Sequence, residues 1–139
     1  MACIAVVTTV GSLEEAQRMG RTLVERRLAA CAQITPIESF YVWNDALCHE
    51  PEFRLLLKST EARYAALEGA IRASHPYELP AIHAERLEPV YPPYAEWIER
   101  MTREGADTAP AARHGSRAVR RDGSRGSPPR APHSAPRWT

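Results

Sequence analysis

Residues 2–9 read ACIAVVTT, an almost unbroken run of apolar and β-branched side chains. A strand wetted on one face alternates apolar with polar residues. A run without that alternation reads as a strand buried on both faces, in the middle of a sheet. The chain must therefore supply strands to either side of this one and cover for both faces. The run lacks a basic segment before it and is far too short to span a bilayer, so it reads as a first strand rather than a signal peptide or membrane anchor. VGSLEE follows. Ser12 and Glu15 have the spacing of a capping box, in which hydroxyl and carboxylate each satisfy a backbone N–H at a helix start. Ala16, Met19, Leu23 and Val24 then recur at helical spacing to about Arg27.

The β-branched and aromatic content of residues 29–47 predicts a second strand. Pro36 removes a ladder donor, which places that strand at an edge or bends it. Asn44 and Asp45 carry turn chemistry. The stretch DALCHEPE is longer than a two-residue turn, so the tip of the hairpin is left open. FRLLLKS at 53–59 predicts a third strand, with Phe53, Leu55 and Leu57 on one face and Arg54, Leu56 and Lys58 on the other. Thr60 can cap a helix carrying Tyr64, Leu67, Ala70 and Ile71. That helix should stop near Ser74, because Pro76 disfavours helical geometry at His75. A strand at about 81–88 and a short helix through YPPYAEWIERM complete the pattern. In that helix Pro92 and Pro93 lie at the start and Tyr94, Trp97, Ile98 and Met101 form a stripe. The order predicts an α+β, ferredoxin-like βαββαβ subunit with a short C-terminal helix. Two helices cover one sheet face. The aromatic arm SFYVW argues that subunits bury one another's apolar surface.

Composition bounds the folding unit. Overall, 44% hydrophobic and 25% charged residues suit a globular protein. From Gly105 onward, however, Ala, Arg, Pro, Ser and Gly dominate, and Val119 and Trp138 are the only large apolar side chains. Such a segment buries too little to offset its ordering entropy, so 105–139 is read as a disordered Arg/Pro/Ala-rich tail behind a domain at 1–104. Seven arginines against two aspartates leave the tail at +5; eleven basic against fifteen acidic side chains leave the rest at −4. The tail's arginines are scattered and lack interleaved aromatics. They suit a solubilising extension better than specific nucleic-acid or membrane binding, and any tail partner is unspecified. Cys3, Cys31 and Cys48 form no C-x-x-C pair and are odd in number, which predicts a reducing, cytoplasmic setting.

The stretches VERRLAACAQITPIESFYVW, LLLKST and SHPYELPAI, closed by YAEWIER, resemble the CutA family of divalent-cation tolerance proteins over about residues 3–101. The resemblance implies a compact homotrimer locked by its hairpin arms and a role in divalent metal tolerance. In some members it implies copper binding. It implies no settled catalytic activity. Two departures are visible. The family's Trp-Glu-Gly-Lys hairpin is here Trp43-Asn44-Asp45-Ala46. The family's copper-binding cysteine and adjacent histidine pair correspond to Thr8, Ser74 and His75, of which only His75 keeps a ligand side chain.

His75 is accordingly the candidate metal ligand, for copper or another divalent cation. Its alternative role is that of a histidine stabilised at a helix C-terminus. A lone imidazole is a poor site for Cu(II), which takes several donors in defined geometry. Cys31, in AACA, reads as a small core residue. Lys58 is the single lysine among eighteen basic side chains, and arginine's rigid fork does not replace a compact ammonium in a tight pocket. With Glu78 it can form an ion pair lining an intersubunit cleft with Tyr41, Trp43 and Tyr77, either as an interface pair or as a ligand site. Asp45, Glu50 and Glu52, with His49 among them, read as a solvated acidic loop. No phosphate-cradling glycine loop or Ser–His–Asp pattern is present, so nothing supports an enzyme and no cofactor is required. Two functions follow. One is divalent-metal tolerance with weak or composite binding. The other is a trimeric module, like the PII signalling family, that takes a small anionic ligand between subunits.

Overall fold

The computed structural model describes residues 2–103. The tail assigned to 105–139 lies outside the described residues. Strand β1 spans Cys3–Val10, and all eight of its residues are buried. Helix α1 spans Leu13–Glu25, and half of the expected capping box forms: the Ser12 hydroxyl accepts from the Glu15 N–H at 3.1 Å, without a return bond to the Glu15 carboxylate. It ends two residues before Arg27. Arg27 takes a left-handed conformation (φ 63°), and the Leu28 N–H reaches back to the Leu23 carbonyl at 3.0 Å while the Arg27 N–H reaches Val24. This pair of bonds closes the helix in a Schellman turn without glycine, the residue that normally fills the left-handed position.

Strands β2, Cys31–Trp43, and β3, Ala46–Thr60, form a long hairpin. Its tip is a two-residue turn, Asn44-Asp45, with φ of 56° and 64°. Two consecutive left-handed residues are the signature of the type I′ turn that matches strand twist. β3 thus begins at Ala46, well before Phe53. Cys48, His49, Glu50 and Pro51 have weak strand preference, and ladder pairing with β2 overrides it. After β3 a 3₁₀ turn, Glu61–Arg63, leads into α2, Tyr64–Ser74. The expected side-chain cap from Thr60 is absent; that residue is buried and its side chain makes no capping bond. α2 ends at Ser74, with His75 extended (φ −80°, ψ 135°) ahead of Pro76. β4 is shorter than expected, Ile82–Arg86, and α3 spans Pro92–Met101.

The sheet order is β2-β3-β1-β4, every neighbouring pair antiparallel, which is the ferredoxin-like arrangement. β2 lies at an edge, and Pro36 sits there opposite Phe53. On one sheet face Ile4, Val6 and Val10 lie beside Leu57 and Leu55, and Ala16, Met19 and Leu23 of α1 with Leu67 and Ile71 of α2 close over them. α1 approaches most closely at Gly20, where a Cβ would stand 3.2 Å from that of Ala32. On the opposite face α3 packs Ile98 over Cys3 and Ala30, flanked by Tyr94, Trp97 and Met101. The β1–β3 ladder stops at Val10 opposite Phe53, but β2 and β3 continue paired to Trp43 and Ala46. The excess length is an arm that projects beyond the helix-covered part of the sheet. Phe40, Val42 and Leu47 on it are 63%, 66% and 72% exposed.

Candidate functional site

The loop after α2 folds back against the end of β1 and the base of the arm. Pro76 holds His75 extended, and its ring lies against the last residues of β1. There the Nε2 lies 2.9 Å from the Thr9 carbonyl oxygen. A carbonyl only accepts, so Nε2 carries the hydrogen. The other ring nitrogen, Nδ1, accepts the Tyr77 backbone N–H at 3.1 Å. Together the two bonds specify the neutral Nε2–H tautomer and engage both nitrogens. The rings of His75 and Tyr77 pack with centroids 4.7 Å apart.

Tyr77 continues the chain of contacts. Its hydroxyl donates to Glu52 Oε2 at 2.7 Å, and Ser39 donates to Glu52 Oε1 at 2.7 Å. Tyr77 is 7% exposed and Glu52 only 1%. Glu52 faces Ile37 across the hairpin, one residue beyond the end of β1 on its other side. A buried carboxylate needs donors on both oxygens, and the loop and the arm each supply one. The acidic stretch read as a solvated loop is therefore strand, and Glu52 is one of the most buried polar groups in the subunit.

Lys58 belongs to a second cluster, on the α3 side of the sheet. Its Nζ donates to the Tyr94 hydroxyl at 3.3 Å and lies 5.3 Å from that ring's centroid. Cys31, directly across the ladder from Lys58, places its Sγ 4.0 Å from the same hydroxyl. Tyr94 is held by a near-parallel stack on Trp97, with centroids 5.7 Å apart. The expected Lys58–Glu78 pair is not formed within the subunit; Glu78 sits exposed on the loop. Tyr41 and Trp43 lie half-buried along the arm. One subunit thus brings Tyr77 and His75 together and puts Lys58 with Tyr94, while Tyr41 and Trp43 lie on the arm and Glu78 on the loop.

A resident metal does not fit these residues within a single subunit. His75 offers no ring nitrogen without breaking a hydrogen bond. Ser74 turns back on its own helix, donating to the Ala70 carbonyl at 3.2 Å. Thr8 is fully buried on the face under the helices. Among the described residues no three His, Cys, Asp or Glu side chains gather around a common point. Elsewhere, burial raises the Cys3 thiol pKa. A hydrogen bond from His83 lowers that of the exposed Glu85, with the charges of His83 and Arg54 acting in the same direction.

Ser39 and Tyr94 carry no sequence signal of a site, and Glu52 is read from the sequence only as part of a solvated acidic loop. The one available signal for Glu52 is the alternation that carries Arg54, Leu56 and Lys58; extended backwards, it puts Glu52 on the same strand face. Tyr94 was visible only as a member of an apolar stripe.

The profile of the CutA1 divalent ion tolerance proteins matches residues 4–101. The chain belongs to the CutA family. A curated relative, described as a probable divalent-cation tolerance protein cutA homolog of Encephalitozoon cuniculi, is 37% identical over 94 residues, covering 68% of this chain and 82% of that protein. Among solved structures, the CutA1 of Oryza sativa aligns at 32% identity with a TM-score of 0.73, covering 75% of this chain and 96% of that one. A CutA of Archaeoglobus fulgidus, described as a periplasmic divalent cation tolerance protein, aligns at 32% identity with a TM-score of 0.70, covering 72% and 98%. The CutA match runs from β1 to the end of α3. Among the described residues no helix is long and apolar enough to cross a membrane.

Proposed function

We propose that the chain acts in divalent metal tolerance, copper included, as a homotrimer in the cytoplasm. The observation that supports assembly is the arm, which carries Phe40, Val42 and Leu47 into solvent beyond the helix-covered part of the sheet. Exposed apolar residues gathered on one strand pair are costly in a monomer and suit burial against another subunit. Three free cysteines support a reducing location. Metal binding, on this reading, is weak or composite. Since one subunit assembles no ligand set among its described residues, the donors come from more than one subunit.

Sedimentation of the full chain tests the assembly: a trimer is expected at micromolar concentration, and Val42→Glu with Leu47→Glu should release monomers. Copper titration of both species tests the composite site. Binding should accompany the trimer and disappear from the monomer. A monomeric wild-type chain refutes the assembly, and equal copper binding by the monomeric variant refutes the shared site.

A further inference from the structure

Lys58 is the chain's one lysine, and its surroundings are unusual for an ammonium. It is half-buried. Around it stand the Tyr94 ring, the Cys31 thiol, Ala5 across the ladder and Leu56 on the same strand face. Among the described residues no carboxylate lies within ion-pairing distance of it; Glu85, in the same row of the sheet, pairs with His83. A half-buried cation without a counter-charge loses hydration that no opposite charge replaces. Of its three N–H donors, one is given to the Tyr94 oxygen. Because that oxygen accepts from Lys58, its own O–H is left to donate; within the subunit it meets only the weak acceptor Cys31 Sγ at 4.0 Å, which an incoming oxyanion would outcompete. The Trp97 stack fixes the ring that carries it.

We propose that Lys58 and Tyr94 form a binding site for one oxyanion, a carboxylate or phosphate group. The anion takes a charge-assisted bond from the ammonium and a second bond from the phenol. Its source is either a small molecule or an acidic side chain of a second copy of this chain. The site uses no residue of the His75–Tyr77–Glu52 chain and does not depend on cation handling.

The single lysine makes the test direct, because lysine-selective ¹⁵N labelling of the full chain gives one ammonium signal. Inorganic phosphate and acetate are titrated against chloride at matched ionic strength. A saturable shift with phosphate or acetate, absent with chloride, establishes a free anion as the source. In Tyr94→Phe, which keeps the reporter, half-saturation should rise about fivefold for the loss of one hydrogen bond. An ammonium signal already in slow exchange with water, unmoved by added anions, and converted to fast exchange when Val42→Glu with Leu47→Glu separates the copies, establishes a second copy's carboxylate instead. A fast-exchanging signal that phosphate and acetate move no more than chloride overturns the proposal. So does a slow-exchanging signal that persists in separated monomers without added anion.

Discussion

Tyr77→Phe removes one oxygen and leaves the ring packed on His75. The hydroxyl donates to Glu52 Oε2 at 2.7 Å, and the carboxylate is 1% exposed, so water cannot readily replace the lost donor. A hydrogen bond to a charged group contributes about 1.5–3 kcal/mol net, and the deficit here belongs at the buried end of that range. Ser39 still serves the other oxygen, so the carboxylate is not stripped of donors. We therefore expect a loss of about 2 kcal/mol. For a folding unit of this size that lowers the melting temperature by on the order of 10 °C. Urea denaturation at fixed protein concentration is the assay, because assembly couples stability to concentration. Ser39→Ala should cost a similar amount. The double variant measures whether the two donors act separately on their two oxygens; near-additivity, within ~0.5 kcal/mol, is expected. The arm should also loosen, with faster amide exchange at residues 37–41. If Tyr77→Phe is as stable as the wild type to within ~0.5 kcal/mol, the loop-to-arm linkage is not what holds the base of the arm.

Asp45→Gly should stabilise the chain by roughly 0.5–1 kcal/mol, because Asp45 holds φ at 64° in a turn that favours Asn-Gly; a lower urea midpoint would contradict the turn assignment. His75→Ala should leave the stoichiometry and affinity of copper binding unchanged by calorimetry, since both ring nitrogens are engaged with Thr9 and Tyr77, and a lost site would restore His75 as a ligand. The Glu85 carboxyl should titrate below its ordinary value of 4.5, and His83→Gln should return it toward that value in an NMR titration. The folded-state pKa is depressed, so any stability this pair gives is present above the ordinary carboxylate pKa and is lost as pH falls through the lowered one. Cys3, buried and raised in pKa, should resist alkylation in the folded chain while Cys48 on the arm reacts.

Much of the fold is legible because local signals agree with the tertiary result. The unbroken run at 2–9 reports burial on both faces, and Ser12 with Glu15 reports a helix start, before any contact is known. Pro76 ends α2 by steric exclusion alone. The misread elements are those whose conformation is decided elsewhere. Residues 48–51 have weak strand preference of their own and are held by β2. Thr60 has a capping side chain but is drawn into the sheet, and a 3₁₀ turn begins the helical segment instead. The site was less legible for the same reason. Charge in the sequence suggested that Glu52 was solvated, whereas its burial depends on Tyr77, twenty-five residues away, and on Ser39 across the hairpin. Lys58 is marked in the sequence by its rarity, but rarity does not name a partner. Within one subunit its hydrogen-bond partner is a phenol on α3.

Both strands of the arm contain a proline, Pro36 in β2 and Pro51 in β3, and neither has a backbone N–H to donate. A long, flat hairpin with exposed apolar side chains is ordinarily an invitation to indiscriminate strand addition and fibre growth. Missing donors near the arm's base break its hydrogen-bonding surface into shorter lengths. An arbitrary extended segment therefore cannot zip along the whole arm from newly made chain to newly made chain. The arm can remain sticky for side chains while being a poor template for backbone, which favours finite assembly over aggregation during synthesis.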